Sequence, residues 1–190
     1  MQSGINDRCK SGSPQPGFRQ WRCKMIASLM PSLSRNAVLA LIGITLVLHT
    51  AEEYVWFPPF LSAPGRFPPW LPPPRLLQNP RDIHVALVIA TVLPLVVIAW
   101  AILRPAKVLL ILALLIESIL LVNAVWHIIA SSIVGGYAPG VITAVLINLP
   151  FGVYVLRRAV KEQWIGVRTA WQLIGSAFVL HIVAIGRVLA

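Results

Sequence analysis

Ionisable side chains interrupt the apolar parts of this sequence, where they are energetically costly. An ionised carboxylate at membrane depth costs several kcal/mol unless it is paired or coordinated, so each one marks a candidate site. Three glutamates and three histidines lie inside apolar runs, and a fourth histidine opens one: Glu52, Glu53, Glu117, His49, His127, His181 and His84. Because neutral imidazole and carboxylate are common ligands of zinc, iron and manganese, this set predicts an intramembrane site for a divalent metal or for protons.

The spacing of these residues favours a shared cavity. At about 100° per helical residue, His49, Glu52 and Glu53 fall within an arc of about 100°. Carboxylate and histidine ligands on facing helices build di-iron sites in helical bundles. The predicted metal ligands are His49, Glu52, Glu117, His127 and His181. Glu53 is the predicted catalytic base, and Asn123 and His84 are predicted to support the ligands.

The elements that position these residues are apolar segments long enough to cross a membrane. Of the 190 residues, 57% are hydrophobic and 12% charged, and the mean hydropathy of +0.79 excludes an ordinary soluble domain. A helix needs about 20 residues to cross a hydrocarbon core of about 30 Å. Five segments have this length, at about 37–57, 85–103, 108–132, 138–156 and 169–186. Since they lack the alternating pattern of barrel strands, they predict an all-α, polytopic transmembrane bundle of about five spans.

Two stretches lie outside the predicted spans. Residues 1–35 are basic and lack a long apolar run, which predicts a disordered N-terminal extension ahead of a transmembrane domain at 36–188. Nine prolines between residues 58 and 81 disfavour helix and predict an extended Pro-rich loop at the membrane surface. Pro94 and Pro150 fall within spans, where each predicts a kink.

The basic residues predict an orientation rather than a nucleic-acid partner. The net charge is +10, and Lys and Arg divide twelve to four between the two sides of five spans. By the positive-inside rule, we expect a cytoplasmic N-terminus in a bacterial cytoplasmic membrane, with the lipid bilayer as the indicated partner. At about 1.5 Å per residue, His49 and His181 then lie about 18 Å from the cytoplasmic face and Asn123 about 22 Å. The ionisable groups are therefore predicted to converge in the outer half of the membrane.

The stretch from His49 to Glu53 reads His-Thr-Ala-Glu-Glu at the end of the first span, and Asn123-x-x-x-His127 follows late in the third. In both respects the chain resembles the HXXEE family of bacterial integral membrane proteins, over about residues 36–188. The resemblance implies that His49, Glu52 and Glu53 are signature residues. It implies neither a reaction nor a bound metal.

Two classes of function fit these observations. In the first, the protein is a metal-dependent membrane enzyme acting on a lipid or another apolar substrate, with zinc, iron or manganese as metal and Glu53 as general base. In the second, Glu52, Glu117 and the histidines form the relay of a small proton-coupled transporter, although no inverted repeat is evident. A structural or accessory membrane subunit is a third interpretation.

Overall fold

A computed structural model describes residues 33–63 and 79–189, and the predicted all-helical bundle is confirmed within them. These residues form five long helices and no strand. The helices are α1 Arg35–Ser62, α2 Pro80–Leu103, α3 Lys107–Ile133, α4 Val141–Lys161 and α5 Val167–Leu189. The predicted N-terminal extension, up to residue 32, and the predicted loop, from 64 to 78, lie outside the described residues.

Length and composition allow the helices to cross a membrane. Four of them, α1 to α4, are long and apolar enough, and α5 adds a shorter apolar stretch at Val167–Val183 among the described residues. Large apolar side chains cover their outer surfaces: Leu93 is 62% exposed, Trp171 69% and Leu146 69%. Continuous apolar exposure of this kind marks a surface that meets lipid.

Helix α3 lies against α2, α4 and α5. Its buried positions recur every three or four residues, as expected for a helix that buries a broad face. The apolar core takes most of its side chains from α1 and α3, and α2, α4 and α5 each add two; its members include Val38, Leu39, Ile42, Ala113, Leu114, Val155 and Ala159. The polar residues of interest therefore project from helices that an apolar core holds in register.

The first helix is longer than the sequence predicted. Helix α1 continues through Pro58 and Pro59 to Ser62, whereas the predicted Pro-rich loop began at residue 58. Proline has no backbone N–H, so Pro58 leaves the carbonyl of Tyr54 without its helical donor. The Nε2 of His84 on α2 lies 3.2 Å from this carbonyl oxygen and donates to it. A neighbouring helix thus replaces the bond that proline removes.

The other two prolines also lie within helices. Helix α2 is continuous across Pro94. In α4, a π-helical turn at Ala144–Asn148 ends two residues before Pro150, and the Leu149 N–H donates to the Ala144 carbonyl. Such turns allow a helix to accommodate a residue that cannot donate. The kinks expected at both prolines remain predictions.

Candidate metal centre

Three potential metal ligands meet between α1 and α3. His49 and Glu53 lie one turn apart on α1, and His127 lies on α3. Glu53 Oε1 is 3.0 Å from His127 Nε2 and 3.7 Å from His49 Nε2. One ligand atom from each residue lies within 4.8 Å of the other two. We call His49, Glu53 and His127 the His-Glu cluster; its members are 1%, 9% and 6% exposed.

Asn123 connects the two imidazoles. Its Nδ2 is 2.8 Å from His49 Nε2 and 3.1 Å from His127 Nε2. Asn123 precedes His127 by one turn of α3, so both side chains project from the same face. Asn123 therefore lies beside both histidines, as the sequence analysis expected for a supporting residue.

The tautomer of His49 follows from its second neighbour. His49 Nδ1 lies 2.8 Å from Thr143 Oγ1 on α4. The single hydroxyl hydrogen of Thr143 is donated to Glu52 Oε2 at 2.6 Å, so the hydroxyl accepts from His49 Nδ1–H. The Nε2 of His49 then carries a lone pair directed into the cluster. This is the ring state that a metal ligand requires.

Glu52 points away from the cluster and toward the start of α4. Its carboxylate accepts hydrogen bonds from the hydroxyl of Tyr137 at 2.8 Å and the backbone N–H of Ile142 at 3.2 Å. Thr143 donates both its N–H, at 2.8 Å, and its hydroxyl. Burial and the hydrogen bond to Glu52 raise the pKa of Tyr137. The N-cap residue of α4, Gly140, has no side chain, so Glu52 supplies the negative charge that a helix N-terminus favours.

Glu52 and Glu53 are thus interchanged relative to the sequence prediction. Glu52 was predicted as a ligand, but it holds α4, and Glu53 shares the cluster with the histidines. The physical reason is the angle between neighbours: consecutive helical residues differ by about 100° in direction. When Glu53 faces α3, Glu52 must face α4.

Gly140 closes the cluster on the side of α4. Its φ of +87° is left-handed, and a Cβ there would lie 2.8 Å from His127 Cε1 and 2.9 Å from His49 Cε1. Only glycine satisfies both conditions. Gly140 and Thr143 were not predicted as site residues; a glycine ahead of an apolar run is a possible N-cap, but it carries no side chain that would indicate a site.

The other predicted site residues are not among the cluster's ligands, although His181 is near enough to interact electrostatically with His127 and Glu53. Glu117 is fully buried against Gly152 of α4, and neither of its oxygens has a hydrogen-bond partner in the described residues. His181 lies beside the ring of Trp126, with centroids 6.1 Å apart, and its buried Nε2 has no partner there either. His84 stacks on Tyr54 with centroids 4.0 Å apart.

The separation of Glu117 follows from helix length. Glu117 and His127 are ten residues apart on α3, a rise of about 15 Å along the axis. The predicted single cavity therefore reduces to His49, Glu53 and His127, with Asn123 beside them.

The cluster geometry is compatible with a metal ion. Ligand atoms about 2.0–2.2 Å from a tetrahedral ion are about 3.4 Å from one another. The two distances from Glu53 Oε1, 3.0 and 3.7 Å, bracket this value. Asn123 has two N–H hydrogens, one for each imidazole, so no hydrogen remains between Glu53 Oε1 and an unprotonated His127. Converging lone pairs of this kind could hold a cation.

Comparison with known proteins identifies a family. The model of the family described as "Protein of unknown function with HXXEE motif" matches residues 40–155. The matched segment includes the whole His-Glu cluster, Asn123 and the start of α4. No significant match is found among curated proteins or among solved structures.

Proposed function

We propose that the His-Glu cluster binds one divalent metal ion and that the protein is a metal-dependent membrane enzyme. The chain belongs to the HXXEE family, whose function is unknown. The observation that carries the proposal is the meeting of three largely buried ligand atoms, from two helices, within 4.8 Å of one another. Three protein ligands leave a fourth position open, which is the arrangement of catalytic rather than structural zinc sites. Zinc, iron and manganese all suit two imidazoles and one carboxylate.

Each residue around the cluster then has a distinct task. A bound metal of this kind activates water or oxygen. Thr143 fixes the His49 tautomer, and Glu52 fixes Thr143 through two hydrogen bonds. Both histidine contacts of Glu53 use Oε1, which supports Glu53 as the third ligand in place of the non-ligand general base that its sequence position suggested.

The proposed substrate is a lipid or another apolar molecule. The outer faces of the helices are apolar, so a substrate dissolved in the bilayer can approach the bundle from the side. The polar cluster lies inside the bundle, where a reacting group would be separated from bulk water. With the cytoplasmic N-terminus expected from the basic residues, the cluster lies in the outer half of a bacterial cytoplasmic membrane.

Metal analysis of the purified full chain tests the metal site. We expect close to one zinc, iron or manganese per chain in the wild type, and loss of that metal in His49→Ala and in His127→Ala. His84→Phe is the matched control, because it removes a membrane histidine that stacks on Tyr54 outside the cluster, and it should keep the metal. Far-ultraviolet circular dichroism verifies that each variant remains helical.

Other outcomes would favour other functions. If the wild type binds none of these metals after growth in supplemented medium, while His49→Ala only lowers thermal stability, the cluster is a structural hydrogen-bond network and the accessory interpretation gains. Absence of metal combined with pH-dependent flux across vesicles containing the protein would favour the proton-coupled carrier. Metal bound to wild type and to both cluster variants alike would place the ion elsewhere.

A further inference from the structure

Two buried side chains outside the cluster lack all their hydrogen-bond partners. Glu117 on α3 is 0% exposed and Asn148 on α4 is 1% exposed. Neither oxygen of Glu117, and neither the Oδ1 nor the Nδ2 of Asn148, has a partner in the described residues. Buried polar atoms in proteins are almost always paired. Four such atoms on two side chains therefore require an explanation of their own.

Both side chains belong to the interface between α3 and α4. Glu117 lies against α4 at Gly152, where a Cβ would be 3.0 Å from Glu117 Oε1. Asn148 precedes Gly152 by about one turn of α4, a rise of about 5.4 Å. Both residues are buried, whereas the residues between them are more exposed, so both lie on the packed side of the helix. The absent side chain of Gly152 provides the space for the carboxyl group. Asn148 also ends the π-helical turn of α4, a distortion often found at functional sites.

Among residues 33–63 and 79–189, no positively charged group is paired with Glu117. The ionisable groups of the helices around it lie at other levels of the bundle and do not contact it. On the side of the cluster these are His49 and Glu53 of α1, His84 of α2, His127 of α3 and His181 of α5. On the opposite side, Arg158 of α4 is paired with Glu162. A bare carboxylate in such surroundings would cost several kcal/mol.

One proton on the Glu117 carboxyl would give all four unpaired atoms a hydrogen-bond partner. A neutral carboxylic acid has one O–H donor and one carbonyl acceptor, and a carboxamide likewise offers an N–H donor and a carbonyl acceptor. The two groups can therefore close a ring of two hydrogen bonds, directly or through a water molecule. An ionised Glu117 has no hydrogen for Asn148 Oδ1, which would stay unpaired.

We propose that Glu117 and Asn148 form a second site, distinct from the His-Glu cluster, whose ligand is a proton held on the Glu117 carboxyl and shared with the Asn148 amide. The site does not depend on the metal proposal. Its chemistry requires only a carboxylic acid and an amide facing each other in an apolar interface.

Infrared spectroscopy of the full chain in lipid at neutral pH tests this site. We expect a carbonyl stretching band of a protonated carboxylic acid, and its loss in Glu117→Gln. Asn148→Leu should keep the band but shift it to higher frequency, because the acid loses its amide partner. Glu162→Gln is the matched control, since it removes a partly exposed carboxylate that is paired with Arg158, and it should leave the band unchanged.

Stability provides a second measurement. Glu117→Gln should keep the melting temperature of the wild type, because two facing amides reproduce both hydrogen bonds. Absence of the acid band from the wild type would overturn the proposal, as would a band that survives Glu117→Gln. Loss of the band on addition of sodium or potassium ions would also overturn it, since the site would then bind a metal cation in place of the proton. An unshifted band in Asn148→Leu would remove Asn148 from the site.

Discussion

The cluster end of the bundle and the middle of the α3/α4 interface use the same residue type in opposite ways. At the cluster, Glu53 lies within 3.0 and 3.7 Å of two imidazole nitrogens. Nearer the centre, Glu117 lies against Gly152 and has no hydrogen-bond partner in the described residues. Both are glutamates buried among apolar helices, and they differ in the polar side chains that surround the carboxylate.

The difference shows how the neighbours of a buried carboxylate select its ligand. Imidazole and carboxylate lone pairs that converge on one point suit a metal cation, which would replace the Asn123 hydrogens on the two imidazoles, and Glu53 has such neighbours. A carboxamide with one donor and one acceptor matches a neutral acid, and this is the partner that we propose for Glu117. A site for a metal and a site for a proton can therefore coexist within one small bundle.

The largest expected effect separates the two glutamates directly. Glu53→Gln replaces a charged ligand by a neutral amide, so we expect metal affinity to fall by more than the roughly 10–100-fold that loss of an outer hydrogen-bond partner costs. Glu117→Gln, the same chemical change elsewhere in the bundle, should leave affinity unchanged. Competition with a chromophoric chelator measures both. Equal losses in the two variants would contradict the separation of the sites.

The second expected effect concerns the glycine that closes the cluster. Gly140→Ala forces an alanine into the left-handed conformation, which destabilises the fold by about 1–2 kcal/mol. The new Cβ also clashes with both imidazoles, which destabilises the fold by about 1–3 kcal/mol more. Gly135→Ala is the matched control: its φ of +65° is also left-handed, but no atom lies within 4 Å of the added Cβ. We expect both variants to melt earlier than wild type and only Gly140→Ala to lose metal. Metal loss in Gly135→Ala would mean that loop conformation, rather than contact, governs the cluster.

The parts of the fold that were predictable from sequence depend on local properties. Apolar length identified the helices, because a bilayer requires uninterrupted runs of about 20 residues. Residue chemistry selected His49, Glu53 and His127 among its candidate site residues, since ionisable groups are expensive among apolar neighbours, and the structure brings these three together. Neither inference required knowledge of which helices touch.

The parts that failed depend on contacts between helices. The choice between Glu52 and Glu53 is made by Thr143 and Gly140 at the start of α4, which pairs with α1 only in the folded bundle. The continuation of α1 through Pro58 likewise depends on His84, a residue of another helix. The sequence of a single span does not show which residues of other helices will contact it in the folded bundle.

A smaller effect is expected where the cluster is supported from outside. Thr143→Val keeps the shape of the side chain but removes the acceptor for His49 Nδ1–H and the donor to Glu52. We expect metal affinity to fall by about 10–100-fold, with the imidazole free to adopt the other tautomer. Thr91→Val is the control: its hydroxyl lies 3.0 Å from that of Thr50, in a contact between α1 and α2. Unchanged affinity in Thr143→Val would show that the His49 orientation is fixed by packing alone.

The smallest expected effect tests whether a histidine can be purely structural in this bundle. His84→Phe preserves an aromatic ring against Tyr54 but removes the hydrogen bond to its carbonyl, so we expect a loss of about 1 kcal/mol in unfolding free energy and no change in bound metal.

Pro58→Ala restores the helical donor of that same carbonyl. In the Pro58→Ala background, His84→Phe should therefore cost less than it does alone, and the two changes form a double-mutant cycle measured by thermal unfolding. An additive cycle would mean that His84 stabilises α1 through ring stacking rather than by replacing the bond lost to proline. A loss of metal in His84→Phe would instead return this histidine to the cluster, as the sequence first suggested.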